Sequence, residues 1–148
     1  MLKIGDQAPE FTLPNSQGED VSLSNFLATG PLILYFYPAD FTPVCTAEAC
    51  AFRDNYDGVA ELGVQIVGVS PQSADSHARF TKQFNLPFPL LADANKQVIR
   101  RYGVDGPFGI GVRRVTYLID QEKNIVKRAV ADFSTSSHLN LLKETLAS

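Results

Sequence analysis

The chain has 148 residues, of which 45% are hydrophobic and 20% charged, and a net charge of −3. That length suits one domain with a sizeable core, so residues 1–148 are read as a single domain. The charge balance leaves no basic footprint for nucleic acid or an anionic membrane, and neither partner is expected.

Residues 1–11, MLKIGDQAPEF, lack the long apolar run of a signal peptide. No stretch of the chain approaches the roughly 20 apolar residues that span a bilayer. A soluble, cytoplasmic protein is expected. In a reducing compartment a closely spaced cysteine pair is catalytic or metal-binding more often than structural.

In chain order, residues 11–23 read as a strand, a turn at 15–18 and a second strand, with Ser24 capping one helical turn before Gly30 and Pro31. This small hairpin is expected to cover an edge or end of the sheet and to carry no chemistry. The stretch that organises the rest follows at 32–50, LILYFYPADFTPVCTAEAC, and holds both cysteines. Residues 32–37 form a short apolar run suited to a buried strand, and the run stops at Pro38, which has no N–H for a ladder.

Thr42-Pro43 is a helix start with a mechanism: a hydroxyl residue at the N-cap, then proline at the first helical position, where a missing N–H costs nothing. Cys45 therefore falls in the first turn. Unpaired backbone N–H groups and the positive end of the helix dipole favour an anion there, which supports the thiolate form of Cys45. As the cap, Thr42 can reach the Cys45 N–H or turn its hydroxyl toward the sulfur.

Cys50 lies five positions on, which on an intact helix means about 140° of rotation and a rise of roughly 7.5 Å. Their Cα atoms then stand beyond the roughly 7 Å within which a disulfide closes without backbone movement. A bond between Cys45 and Cys50 requires the first turns to unwind.

The helix from residue 43 is expected to run to 62 and stop at Gly63, with Phe52, Tyr56, Val59 and Leu62 inward. Glu48, Arg53, Asp54 and Asp57 fall on the outer face, and Glu48, one turn beyond Cys45, can orient a cation at the site. Residues 64–70 form a second buried strand, parallel to the first through a right-handed crossover. Ser70 or Ser73 caps a helix carrying Phe80 and Phe84. Residues 86–91 form a proline-punctuated extended strand, and 94–101 a short helix.

Residues 102–111 contain four glycines but neither the register of a dinucleotide fingerprint nor a following helix, and they read as a mobile loop. Residues 112–120 and 125–131 pair as an antiparallel hairpin, and 134–137 start a final helix with Leu139, Leu142 and Leu146 inward. The sum is an α/β chain with a mixed sheet and helices on both faces. This is the thioredoxin architecture with additions at the N-terminus and in the middle.

A thiolate in a first helical turn suits a small electrophile that leaves with negative charge, and a peroxide answers that description. Such a site needs a fixed cation, for which Arg113 and Arg114 are the candidates. Adjacent strand residues point to opposite faces, so one of the two enters the pocket.

PADFTPVCTAEAC at 38–50 resembles the PxxxTxxC signature of the peroxiredoxins, in the form used by the peroxiredoxin Q or bacterioferritin comigratory protein group. GDQAPEFTLP, YFYP, LPFPLLAD and RRVTYLID extend the resemblance along most of the chain. The resemblance implies a thioredoxin fold with an N-terminal hairpin and a central insertion. It also implies a thiol peroxidase that reduces hydrogen peroxide and organic hydroperoxides, needs no cofactor or metal, and is recycled by thioredoxin or a similar dithiol protein.

By the same resemblance Cys45 is the peroxidatic cysteine and Cys50 the resolving one, joined in an intramolecular disulfide. Pro38 shields the thiolate, Thr42 supplies a peroxide-binding hydroxyl, Arg114 is the pocket arginine, and Glu48 is the helix acid associated with it. A monomer is implied, since no second subunit is needed to resolve the intermediate. Val44 stands where the group usually has glycine, which bears on how readily the helix unwinds.

Two rivals remain. A thioredoxin-like dithiol/disulfide oxidoreductase shares the fold and sulfur chemistry, although the usual CxxC spacing is absent. A zinc-binding module would have to draw on His77 and His138 as well as the cysteines, and both histidines read as surface residues.

Overall fold

The computed structural model describes residues 1–131 and 135–147. A five-stranded sheet forms its centre, built on β3 (Leu32–Phe36), which lies parallel to β4 (Gln65–Ser70) on one side and antiparallel to β6 (Val115–Ile119) on the other. Outside these lie β5 (Leu90–Ala92), parallel to β4, and β7 (Ile125–Val130), antiparallel to β6. The order is β5-β4-β3-β6-β7, a parallel half joined to an antiparallel hairpin as expected. A separate hairpin of β1 (Thr12–Pro14) and β2 (Asp20–Ser22) precedes it.

The two-residue period of β3 divides the core. Leu32, Leu34 and Phe36 enter one cluster with Leu13, Leu23, Ile99 and Tyr102. Ile33 and Tyr35, with Tyr37 just beyond the strand, enter the other with Cys45, Phe52, Phe80 and Leu142. Both faces of the central strand are buried, as its continuous apolar run requires. The first face carries α1 (Leu23–Leu27) and α5 (Gln97–Arg101). The second carries α2 (Pro43–Asp54), α3 (Tyr56–Glu61), α4 (Ala74–Phe84) and α6 (Ser136–Ala147). On that second face Tyr35 lies over Gly68, where an added Cβ would stand 2.7 Å from the Tyr35 ring.

Several boundaries differ from expectation, each for a local reason. Ser22 rather than Ser24 caps α1, accepting the Asn25 N–H. The long helix breaks at Asn55, whose side-chain amide donates to the Ala51 carbonyl at 2.9 Å and so competes with the helical ladder. Beyond that break Leu62 is exposed rather than inward.

The strand expected over 86–91 is limited to β5, because Pro87 and Pro89 cannot donate to a ladder. The helix expected from residue 94 begins at Gln97, where the Asp93 carboxylate accepts the Ile99 N–H at 2.8 Å. The glycine-rich loop contains a 3-10 turn at Pro107–Gly109 with Phe108 fully exposed at a positive φ of 58°. In α6, Leu142 is buried and Leu139 half-buried; Ser134 and the Leu146 side chain lie outside the described residues.

Candidate active site

Helix α2 starts where Thr42 and Pro43 place it, and Cys45 sits in its first turn, 1% exposed. Thr42 adopts neither expected arrangement: its hydroxyl donates to the Ala39 carbonyl at 2.9 Å and makes no cap bond. The bond instead tightens the loop between β3 and α2. Cys50 is half-buried on the same unbroken helix, and both thiols are free.

Of the two arginines, Arg114 is the one that lies against Cys45. It precedes β6 by one residue and shares the parity of Thr116 and Leu118, so it projects onto the face that carries α2. Its Nη2 donates to Cys45 Sγ at 3.1 Å and its Nη1 to Glu48 Oε1 at 2.9 Å. Arg113 has the opposite parity and lines a groove with Pro38, Asp105 and Ile110. That groove brings the glycine-rich loop beside the proline at the end of β3.

Glu48 corrects the sequence reading of an outer-face acid, for it is 1% exposed beneath the arginine. Burial pushes its carboxyl up to about 7, with the Arg114 charge and hydrogen bond pulling the other way. The guanidinium itself is held above its usual range: burial opposes the charge, but Glu48 and Cys45 together outweigh that cost.

Both histidines also correct the sequence reading, since each is wholly buried. His138 Nδ1 lies 2.7 Å from Thr116 Oγ1 and 3.5 Å from Glu48 Oε2, directly behind the catalytic candidates. His77 Nδ1 lies 2.7 Å from Asp40 Oδ2, and Tyr37 and Ser76 donate to the same carboxylate at 2.6 and 2.7 Å. Asp40, in the loop that leads to Cys45, received no role from sequence. Helical spacing held the missed signal: His138 shares a stripe with Leu141, Leu142 and Thr145, and His77 with Phe80 and Phe84.

The arrangement is a buried sulfur held by one arm of a guanidinium whose other arm is tied down by a carboxylate. It can keep a thiolate in place and stabilise negative charge developing on an atom bound against it.

Comparison with known proteins matches residues 4–128 to the AhpC/TSA family. Peroxiredoxin Bcp of Escherichia coli strain K12 is 40% identical, with 97% of each chain covered. Peroxiredoxin Bcp of Bacillus subtilis strain 168 is 42% identical over 85% of this chain and 83% of its own. Among solved structures, peroxidoxin BcpB from Mycobacterium tuberculosis superposes with a TM-score of 0.92 at 36% identity, covering 99% of this chain and 97% of that one.

Proposed function

The chain belongs to the AhpC/TSA family and is a thiol-dependent peroxidase of the peroxiredoxin type, and on that footing we propose how its residues divide the work. Cys45 attacks the terminal oxygen of hydrogen peroxide or an organic hydroperoxide. The O–O bond breaks, sulfur takes the hydroxyl as a sulfenic acid, and the electron pair leaves on hydroxide or alkoxide. Arg114 holds the thiolate and stabilises the departing oxygen, and Glu48 fixes the guanidinium. Thr42, whose proton is committed to Ala39, keeps its lone pairs to accept from the hydroperoxide. Pro38, which lines the groove beside the glycine-rich loop, shields the thiolate.

The first turns of α2 then unwind, and the Cys50 thiol condenses with the sulfenic acid to give a disulfide and water. Thioredoxin or a similar dithiol protein reduces that disulfide and restores the helix. We place this cycle in a single domain spanning residues 1–148, acting as a monomer in the cytoplasm. Among the described residues, no helix is long and apolar enough to cross a membrane.

The observation that carries this reading is the two-armed contact of Arg114 with Cys45 and Glu48. Intact mass after one equivalent of hydrogen peroxide tests it. The wild type is expected to lose two hydrogens, Cys50→Ser to gain one oxygen, and Cys45→Ser to stay unchanged. A wild type that stays reduced for as long as free cysteine would overturn it in favour of dithiol exchange.

A further inference from the structure

Behind the sulfur, His138, Thr116 and Glu48 meet in a buried cluster that Arg114 joins to Cys45. His138 Nε2 lies 3.0 Å from the Ala131 carbonyl, which only accepts, so that nitrogen carries a hydrogen. His138 Nδ1 faces the Thr116 hydroxyl, which can donate or accept, and beyond it Glu48 Oε2 at 3.5 Å. Glu48 Oε1 is taken by Arg114, whereas Oε2 accepts no hydrogen bond among the described residues. Two arrangements of the pair agree with these contacts. In one, Thr116 donates to a neutral imidazole and a proton sits on Glu48; in the other, the proton sits on Nδ1 and points toward Thr116 and the carboxylate.

We propose that His138 and Glu48 share one proton whose presence decides how much of the Arg114 charge reaches the Cys45 sulfur, which makes His138 a positioning residue of the peroxide reaction. The inference rests on the reading of Cys45 as the attacking thiolate.

Charge balance in a buried space supplies the reason. Cys45, Glu48, Arg114 and His138 are each 3% exposed or less. With the proton present, the thiolate and guanidinium compensate each other and the Glu48–His138 pair is neutral. Once it leaves, a second buried anion competes for the same guanidinium, and the attraction on the sulfur weakens.

Glu48 is also faced by the Tyr35 phenol from β3, which burial first, and then the charges of Glu48, Cys45 and Asp40, keep un-ionised far above its ordinary range. Tyr35 adds no charge near neutrality. The carboxyl, which burial pushes up to about 7, exchanges its proton near neutrality. Thr116 and Arg114 lie two residues apart and face the same side, so β6 holds the imidazole and the guanidinium in fixed relation.

The test uses the full chain carrying Cys50→Ser, which stops at the sulfenic acid and removes the disulfide step. Stopped-flow rates with hydrogen peroxide are taken from acid to alkaline pH in this parent, with His138→Gln added, and with Glu48→Gln added. The parent is expected to show a second ionisation that lowers the rate as the pair loses its proton. His138→Gln should displace that ionisation by roughly one unit, the size of a coupled titration, and Glu48→Gln should abolish it.

The His138 imidazole titration, followed by NMR in the parent and in Glu48→Gln, reads the same coupling without peroxide and without depending on the folding of a His138 variant. Superimposable rate profiles in parent and His138→Gln, or a His138 titration indifferent to Glu48→Gln, would overturn the proposal. A parent that reacts no faster than free cysteine while the two titrations remain coupled would overturn the peroxidase reading instead.

Discussion

Asp40 Oδ2 lies 2.7 Å from His77 Nδ1, with both side chains fully buried, and this contact ties the loop before Cys45 to α4. The other imidazole nitrogen lies 3.1 Å from the Leu91 carbonyl, so each ring nitrogen faces an acceptor. Removing one partner leaves the other buried without its counterpart. His77→Gln is therefore expected to destabilise the fold by about 3 kcal/mol, read from urea unfolding at neutral pH. A loss below about 1 kcal/mol, the range of an exposed pair, would show that the contact is not a buried ion pair.

The same carboxylate sets an acid limit. Burial works to raise Asp40, but hydrogen bonds from His77, Tyr37 and Ser76 and the His77 charge together hold it below the ordinary aspartate range. A carboxyl depressed by folding contributes stability that is present above its unfolded value and lost as pH falls through its folded value. Unfolding free energies measured between about pH 6 and pH 2 should decline below roughly pH 4 in the wild type, and less steeply in Asp40→Asn.

Arg114 spans two acceptors with one planar group, and a lysine ammonium is a point charge that cannot reproduce that fork. Arg114→Gln is expected to lower the rate of reaction with peroxide roughly a hundredfold, in line with loss of one preorganised donor to a developing anion. Arg114→Lys should recover only part of it. Single-turnover rates in the Cys50→Ser background measure both, and a lysine variant as fast as wild type would show that charge alone suffices.

Val44, half-buried beside Cys45, stiffens the turn that opens in the proposed cycle. Glycine there lowers the helical preference by a few tenths of a kcal/mol, enough for about a twofold change in opening. Val44→Gly should speed disulfide formation relative to sulfenic acid formation, followed by rapid-quench mass analysis. Equal ratios in the two proteins would count against control by this residue.

Gly68 leaves room for the Tyr35 ring against β4, and a methyl there would stand 2.7 Å from the ring and 2.8 Å from Leu90. Gly68→Ala is expected to cost about 1–3 kcal/mol through overpacking. Thermal unfolding checks this; an unchanged midpoint would mean that the ring yields freely.

The order of strands and the place of Cys45 in the first turn of α2 were legible because each rests on local chemistry. The apolar run ending at Pro38 makes a buried strand, Thr42-Pro43 starts a helix, and the short link between 120 and 125 forces an antiparallel hairpin. Helix ends were less legible. Asn55 ends α2 through its own side chain, and the prolines around Phe88 limit a strand whose residues are otherwise apolar.

What the sequence by itself determined is the cysteine unit: one cysteine in the first turn of a helix that follows a buried strand, with a second too far along that helix to bond without unwinding. These follow from spacing along the chain. Only the tertiary structure decided which side chains surround that unit. Glu48 looks like a solvated helix acid until α6 and β6 close over it, and His138, ninety residues later in sequence, reaches it only through that packing. Likewise His77 becomes the partner of Asp40 because the crossover lays α4 against the loop after β3. Burial is a property of what packs against a residue, and long-range packing brings together groups whose neighbours in the chain carry no trace of one another.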